Sequence, residues 1–298
     1  MLAVRDEADV LPYNLDWYAQ AGFETVVVDN GSSDGSYELC ERALADGRVV
    51  ALERVETDRF ELRRLLATLV RLATRQRPDY LMLTDADEFF ELADGGDLIA
   101  AMREDFAAGF NVIRLTNMEF HMTEQDDPDE PNPLERMRYY TCRRVRLARS
   151  YPCVPGLDIV TKMGHSPLFP AGMERNPSPR AYISRHYPFR SRVQALRKVA
   201  RITDRPQEEL RRQYLRFSGD PEEFILKKNR LFRYRENHAW QWEDKAMPER
   251  LRRTEFALRR AHERLVELEA EHVALRAAYD ELSTSGGGEG DADTTASA

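Results

Sequence analysis

The chain has few cysteines, no long apolar run, and no signal-peptide pattern in its first residues. Its three cysteines, Cys40, Cys142 and Cys153, are too few and too scattered for a disulfide framework, and no two have metal-ligand spacing. No apolar segment approaches the roughly 20 residues that cross a bilayer, and "MLAVRDEADV" lacks the basic and apolar regions of a signal peptide. These absences predict a reducing compartment and a cytoplasmic protein, or one at the inner face of a membrane.

The chain also lacks an excess of positive charge. Its formal charge is -8 and its pI is near 5.5, which argues against nucleic acid as the main partner, because binding to phosphate backbones depends on surplus Lys and Arg. Arginine is nevertheless concentrated in residues 136–150 and 184–205, which favours an anionic small molecule or lipid head group. A composition of 42% hydrophobic and 32% charged residues is typical of a globular protein with a sizeable core.

The first half of the chain alternates β-branched runs with amphipathic stretches. Strands are predicted at residues 1–4, 23–28, 48–53, 79–84 and 110–115. Helices are predicted at 9–21, with Asp9 as N-cap, at 34–45, from about Leu62 to Pro78, and at 96–109. This order predicts an α/β protein with a mostly parallel sheet, helices on both faces, and the carboxyl ends of the strands along one edge.

Acidic residues follow three of these strands. They occur in "RDE" (5–7), "DN" (29–30) and "DADE" (85–88). A single acid at a strand end is an ordinary turn former or helix cap, but three such groups share the edge at which open α/β sheets bind ligands. Asp85 and Asp87 are two residues apart, so in an extended segment both side chains would project to one side and share a divalent cation such as Mg²⁺ or Mn²⁺.

These segments resemble the glycosyltransferases of family 2. The stretch 4–36, ending in "VVDNGSSDGS", resembles the opening of that family, and "LTDADEF" (83–89) resembles its Asp-x-Asp metal motif. The segment "SRHYPFRS" (184–191) is similar to a histidine-containing segment in one branch of the family. The resemblance covers roughly residues 1 to 120. It implies a GT-A fold, a nucleoside-diphosphate sugar as donor, a divalent metal, and transfer with inversion at the anomeric carbon.

The resemblance also implies roles for individual residues. Asp29 would contact the base, Glu7 the nucleoside region, and Asp85 both ribose and metal. Asp87 would be the direct metal ligand, and His186 would complete the metal shell.

Other residues of the same segments are assigned to donor binding. Arg5 and Asn30 belong to the two strand-end segments that carry Glu7 and Asp29, while Arg190, with Arg192, would neutralise the diphosphate. Asp34 is interpreted as a helix cap. His165 is an alternative metal ligand.

Inversion requires a base that accepts the proton of an acceptor hydroxyl. Two acids are candidates for this catalytic role. Asp158, in "VPGLDIV", follows a Pro-Gly turn within a mainly apolar stretch, and Glu119, in "NMEFHM", follows the predicted strand beyond the metal motif. The sequence leaves the choice between them open.

The predicted domain organisation divides the chain into four parts. Residues 1–205 form the GT-A domain, with a donor-binding half (1–120) and an acceptor and metal-completing half (121–205), and residues 206–248 form a helical extension that includes an amphipathic helix at 221–237. Leucines at heptad spacing predict a coiled-coil helix over 249–283, which would either form a homodimer or pack onto its own domain. Residues 284–298 are predicted to be a disordered tail.

Two other functions compete with glycosyl transfer. A nucleotidyltransferase also uses carboxylates and a metal at a sheet edge, but "AVRDEADVL" has no Gly-rich basic phosphate loop. A non-catalytic assembly protein acting through its coiled coil has no need of the intact "DADE". The acceptor remains open among a glycan, a lipid-linked molecule and a small molecule. Only Met1–Val4 precede "RDEAD". Four residues are short for a strand, so we expect the natural first strand to start further upstream.

Overall fold

The computed structural model describes residues 1–56, 61–161, 164, 167–203, 219–227 and 231–234. All of them lie in the first of two compact units, Met1–Gln241. The predictions for the coiled-coil helix 249–283, the tail 284–298, most of the helical extension 206–248 and His165 lie outside the described residues.

The described elements are eleven strands and six α-helices. The strands are β1 (Leu2–Val4), β2 (Thr25–Asp29), β3 (Val49–Arg54), β4 (Tyr80–Met82), β5 (Thr84–Asp85), β6 (Glu88–Leu92), β7 (Ile113–Thr123), β8 (Tyr139–Pro152), β9 (Tyr182–His186), β10 (Ile225–Leu226) and β11 (Phe232–Arg233). The helices are α1 (Leu11–Gln20), α2 (Ser36–Ala45), α3 (Leu62–Arg75), α4 (Leu98–Ala107), α5 (Pro133–Arg136) and α6 (Arg192–Thr203).

The first sheet is parallel and has the order β3-β2-β1-β5. Its strands alternate along the chain with α1, α2 and α3, as the sequence predicts, and the α/β class is confirmed. Because β1 pairs with both β2 and β5, the carboxyl ends of these three strands lie side by side.

Helix α3 packs its leucine face onto this sheet. Leu65, Leu66 and Leu69 are buried in one core cluster with Val26 and Val28 of β2. The predicted spacing therefore identifies the buried face of the helix, because residues three and four apart share one side.

We expect Leu69→Ala to lower the free energy of unfolding by about 2–5 kcal/mol, since the removed side chain leaves a cavity in a closed core. Leu69 is fully buried. Urea unfolding measures the change, with Arg64→Ala on the exposed side of the same helix as a control expected to stay within about 0.5 kcal/mol. Equal effects of the two substitutions would contradict the observed packing.

A second, mostly antiparallel sheet was not predicted. Its order is β11-β8-β7-β9-β6, with β10 beside β7 and β4 beside β8. The apolar run 79–84, predicted as one strand, is divided between the sheets: Tyr80–Met82 pairs with β8, and Thr84–Asp85 pairs with β1. The strand predicted at 110–115 begins later and extends to Thr123, so that Glu119 lies within it.

The described part of the segment 221–237 differs from the predicted amphipathic helix. It contains a single 3-10 turn at Pro221–Phe224, followed by β10, and further on by β11. The ring of Phe224 is buried 4.7 Å from the ring of Phe189, between centroids. This segment therefore adds short strands to the second sheet.

Within the described ranges, no helix combines the length and the apolar character that crossing a membrane requires.

Candidate active site

The acid-bearing segments meet at the carboxyl edge of the parallel sheet. Val4 pairs with Asp29, and Ala3 pairs with Asp85, so residues 5–7, 29–30 and 85–88 leave neighbouring strands side by side. This adjacency agrees with the sequence expectation, because parallel strands joined by crossover helices end at one edge.

The two aspartates of "DADE" point into different surroundings. Ala86 and Asp87 form a turn between β5 and β6, so the extended backbone assumed from the sequence is wrong here. The Asp85 side chain is 56% exposed and lies 3.2 Å from a guanidinium nitrogen of Arg149, whereas the Asp87 side chain is only 6% exposed. The spacing argument for a shared cation therefore does not hold.

Asp87 is surrounded by cationic groups. Its Oδ2 lies 2.6 Å from the Lys198 ammonium and 3.6 Å from Nη1 of Arg190, and its Oδ1 lies 3.7 Å from Nε2 of His186. Burial alone would raise the pKa of Asp87, but Lys198, His186 and Arg190 together hold it well below its usual range. Asp87 is therefore a carboxylate at neutral pH.

A second buried pair supports the turn from the other side. Nη2 of Arg149 lies 2.7 Å from Oε1 of Glu88, and both side chains are buried. Burial raises the pKa of Glu88 and Arg149 opposes the rise, while Asp85 and Asp87 increase it. The sequence analysis missed Arg149, because nothing in the basic stretch 136–150 distinguishes it from its neighbours.

His186 stands between Asp87 and Glu119. It ends β9, where it is paired with Glu88 of β6 and Glu119 of β7. Its Nδ1 lies 3.8 Å from Oε2 of Glu119 and has no hydrogen-bond partner in the described part of the chain. Burial alone would lower the pKa of His186, but the carboxylates of Asp87 and Glu88 raise it above its ordinary value. The predicted association of His186 with Asp87 agrees with this geometry.

The residues present fit a divalent cation held by few protein ligands. Oδ1 of Asp87 and Nε2 of His186 are 3.7 Å apart, less than twice the roughly 2.0–2.2 Å ligand distances of such ions. Mn²⁺ accepts carboxylate and imidazole donors together. Among the described residues no three His, Cys, Asp or Glu side chains form a metal-binding group, and catalytic Mg²⁺ sites commonly combine one or two carboxylates with substrate phosphates.

Arg190 is a buried structural centre, which differs from the predicted contact with a diphosphate. Its side chain is 1% exposed, and its Nε and Nη2 contact Asp9 at 2.9 and 2.8 Å. Nη2 also contacts Glu7 at 2.5 Å, and Nη1 donates to the backbone oxygen of Tyr187 at 2.9 Å. Arg190 thus joins the segment after β1 to the segment after β9.

The prediction that Asp9 is the N-cap of helix α1 is wrong, because Arg190 binds its carboxylate. Helix α1 is capped by Val10 without a side-chain hydrogen bond, and the Asp9 carboxylate is engaged with Arg190. Asp34 does form local hydrogen bonds, since its carboxylate accepts from the Ser36 backbone and from the backbone N–H of Ala8. It lies one residue before the cap of α2, at Gly35.

Asp29 lies at the carboxyl end of β2. It is fully buried, its Oδ2 accepts from the Ser32 backbone N–H at 3.1 Å, and its Oδ1 has no hydrogen-bond partner among the residues that the structure describes. Nε of Arg54 lies 3.6 Å from Oδ2, and the Arg54 guanidinium covers the ring of Tyr37 at 4.8 Å. The neighbouring Asn30 is buried and donates its backbone N–H to Val4.

Helix α6 contacts the segment that follows β1. Arg201 donates to the backbone oxygen of Arg5 and lies 3.4 Å from Asp6 and 3.5 Å from Glu7. Glu7 is buried between Arg201 and Arg190. Arg192, predicted to face a diphosphate, instead forms an exposed pair with Glu222 at 2.6 Å.

The two candidate bases have different surroundings. The Asp158 carboxylate accepts from the backbone N–H groups of Val160 and Thr161 at 2.8 and 3.0 Å. The hydrogen bonds from Thr161 are the main reason that the pKa of Asp158 is lowered. Asp158 is therefore a turn-forming acid and a weak proton acceptor, whereas Glu119 lies beside His186.

A cavity of about 450 Å³ opens at the other edge of the parallel sheet. Met1, Thr25, Tyr80 and Phe106 contribute to its walls. Met1, Thr25 and Tyr80 precede or begin strands, Phe106 lies on α4, and the acids of the carboxyl edge do not line the cavity. The cavity is separate from the candidate active site.

The protein-family model described as "Glycosyl transferase family 2" matches residues 3–157, more than half of the chain. No curated protein matches the chain.

Two solved structures are similar to parts of the chain. The mannosyltransferase PcManGT from Pyrobaculum calidifontis, in complex with GDP-Man and Mn²⁺, is 24% identical with a TM-score of 0.30, over 38% of this chain and 33% of that one. The chain thus spans about a third of that relative. S. aureus TarS in complex with UDP is 14% identical with a TM-score of 0.37, over 77% of this chain and 75% of that one.

The parallel sheet, its acidic carboxyl edge and the family match together define a glycosyltransferase. The chain belongs to glycosyl transferase family 2. The predictions of an enzyme and of a GT-A type α/β fold are confirmed, and family membership supports glycosyl transfer.

Proposed function

We propose that this glycosyltransferase moves a sugar from a nucleoside-diphosphate sugar to an acceptor hydroxyl, with a divalent cation and with inversion at the anomeric carbon. The pairing of Asp87 with His186 at the carboxyl edge of the parallel sheet is the observation that supports it most directly. The buried carboxylate and the imidazole lie where the strand ends would present them to a bound diphosphate.

In this proposal the donor lies along the segments that follow β1, β2 and β5. Asp29 receives the base, because its buried Oδ1 has no hydrogen-bond partner among the described residues and would accept an N–H of a uracil or guanine. Arg5, Glu7 and Asn30 shape the nucleoside side. Asp85, with its exposed carboxylate, faces the ribose.

Asp87 and His186 would hold the cation. When bound, Mn²⁺ or Mg²⁺ supplies positive charge that stabilises the diphosphate as it leaves. Asp87 presents a carboxylate that stays ionised, and His186 presents Nε2 toward it. Glu119 lies near the other nitrogen of the ring, 3.8 Å from Nδ1.

Inversion takes place in a single displacement. The acceptor oxygen forms a bond to the anomeric carbon as the bond to the diphosphate oxygen breaks, and the hydroxyl proton passes to a base. We assign this base to Glu119, since it lies within the Asp87–His186 cluster. The carboxylate of Asp158 is already used by its own turn.

We expect UDP or GDP to bind at least about tenfold more tightly with Mn²⁺ than in excess chelator, because the diphosphate and the edge carboxylates repel each other without a cation. Calorimetric titration measures both affinities. Uridine or guanosine, which lack phosphates, should bind equally with and without the metal. Equal affinity of the diphosphates under the two conditions would refute the metal-bridged arrangement.

The other assignments also remain proposals. The acceptor is a glycan, a lipid-linked molecule or a small molecule, and the protein acts in the cytoplasm or at the inner face of a membrane. The domain boundaries at residues 205, 248 and 283 and a homodimer formed through the coiled-coil helix complete the proposed organisation.

A further inference from the structure

We propose that Lys198 holds the Asp87 carboxylate in the donor-free enzyme, gives it up to the cation, and then binds the diphosphate of the donor. This inference rests on the proposed function, because it concerns the same carboxylate. It assigns Lys198 a role that no sequence motif indicates.

The contact that carries the inference is short and sheltered. Nζ of Lys198 lies 2.6 Å from Oδ2 of Asp87, and the two side chains are 12% and 6% exposed. Lys198 lies on α6, 111 residues from Asp87 along the chain. This ammonium is held on Oδ2, so it would lie directly beside a cation bound between Oδ1 of Asp87 and Nε2 of His186.

The two cations therefore compete for one carboxylate. Asp87 already faces Arg190 and His186, so an added divalent ion would meet Lys198 at close range in a site sheltered from water. Like charges at such short range repel each other, and the repulsion is screened less in a sheltered site than in open water. The metal consequently binds weakly until Lys198 leaves or gains an anionic partner.

Lys198 is the cation that can move, and Arg190 is not. The Arg190 guanidinium is fixed by Asp9, by Glu7 and by the backbone oxygen of Tyr187. Lysine instead carries a compact charge on a flexible four-carbon stem, so its ammonium can change partner without movement of the backbone.

The position of α6 directs the displaced ammonium toward the donor. Arg201, three residues after Lys198, reaches the backbone of Arg5 and the carboxylate of Asp6, so α6 crosses the carboxyl edge between the "DADE" turn and the first donor segment. A diphosphate bound through a cation on Asp87 would then lie within reach of the Lys198 side chain. The donor supplies the anionic partner that makes the exchange favourable.

The variant Lys198→Met tests this exchange with two readouts that move in opposite directions. Without nucleotide, Mn²⁺ should bind the variant on the order of tenfold more tightly than the wild type, measured by electron paramagnetic resonance of free Mn²⁺. At saturating Mn²⁺, UDP or GDP should bind on the order of tenfold more weakly by calorimetry. Lys227→Met, at an exposed position, removes the same charge and should change neither affinity.

The outcomes separate this inference from the proposed function. If the wild type binds Mn²⁺ and nucleotide together but Lys198→Met leaves the Mn²⁺ affinity unchanged or lower, the exchange is refuted and the metal-dependent function stands. If Mn²⁺ does not bind the wild type even with nucleotide present, both are refuted. Should Lys198→Met unfold, Lys198→Gln is measured in the same way and must meet the same two expectations.

Discussion

Asp87→Asn is expected to lower kcat/KM by at least about a thousandfold, because the substitution removes the charged ligand that holds the cation against the leaving diphosphate. Asparagine keeps the shape of the side chain but presents a neutral oxygen. Steady-state kinetics with Mn²⁺ measures the loss. Asp79→Asn, at an exposed acid before β4, is the matched control and should keep activity within about twofold of the wild type.

The same substitution should also lower the free energy of unfolding. From the sequence, removal of one acid from "DADE" is expected to relieve repulsion, but the structure reverses this expectation. The neighbours of Asp87 are Lys198, Arg190 and His186, and removing one partner of a buried ion pair costs about 3–5 kcal/mol. Urea unfolding should show a loss of that order for Asp87→Asn. An unchanged free energy of unfolding would contradict these ion pairs. Normal activity of Asp87→Asn would mean that the "DADE" motif is only a turn.

Glu119→Gln is expected to lower kcat by about a hundredfold to ten-thousandfold, which is the usual contribution of a general base. The amide cannot accept the proton of the acceptor. The affinities for Mn²⁺ and for the nucleotide should remain within about threefold of the wild type. Asp158→Asn is the matched comparison, and we expect it to retain near-normal kcat, since its carboxylate forms a turn.

Measuring both kcat and the affinity for Mn²⁺ distinguishes two possible roles of Glu119, as the base or as a residue that orients His186. If Mn²⁺ affinity falls together with kcat, Glu119 orients His186 as a metal ligand and is not the base. If Asp158→Asn loses activity and Glu119→Gln does not, the assignment between the two acids is wrong.

The sequence predicted the parts of the fold that depend on local periodicity. The leucines of α3 identify its buried face, and the alternation of strands and helices predicts the parallel sheet. The meeting of residues 5–7, 29–30 and 85–88 follows from that topology, because β1 pairs with both β2 and β5. These features require only neighbours in the sequence and the handedness of crossovers.

The sequence could not predict contacts that depend on the second sheet. Apolar residues 79–84 indicate burial but not the partner strand, and the division between β4 and β5 is decided by pairing with β8 and β1. Lys198 and Arg149 reach the "DADE" turn from 111 and 61 residues away, in stretches rich in similar side chains. Only the fold distinguishes these two cations from the solvated ones around them.

The most direct measurement is the release of nucleoside diphosphate from a panel of UDP-sugars and GDP-sugars, with the wild type and Asp87→Asn compared in Mn²⁺ and in chelator. The proposed function predicts release from at least one donor by the wild type in Mn²⁺, and none above background in chelator or with Asp87→Asn. Release that continues at the same rate in chelator, or with Asp87→Asn, would contradict it.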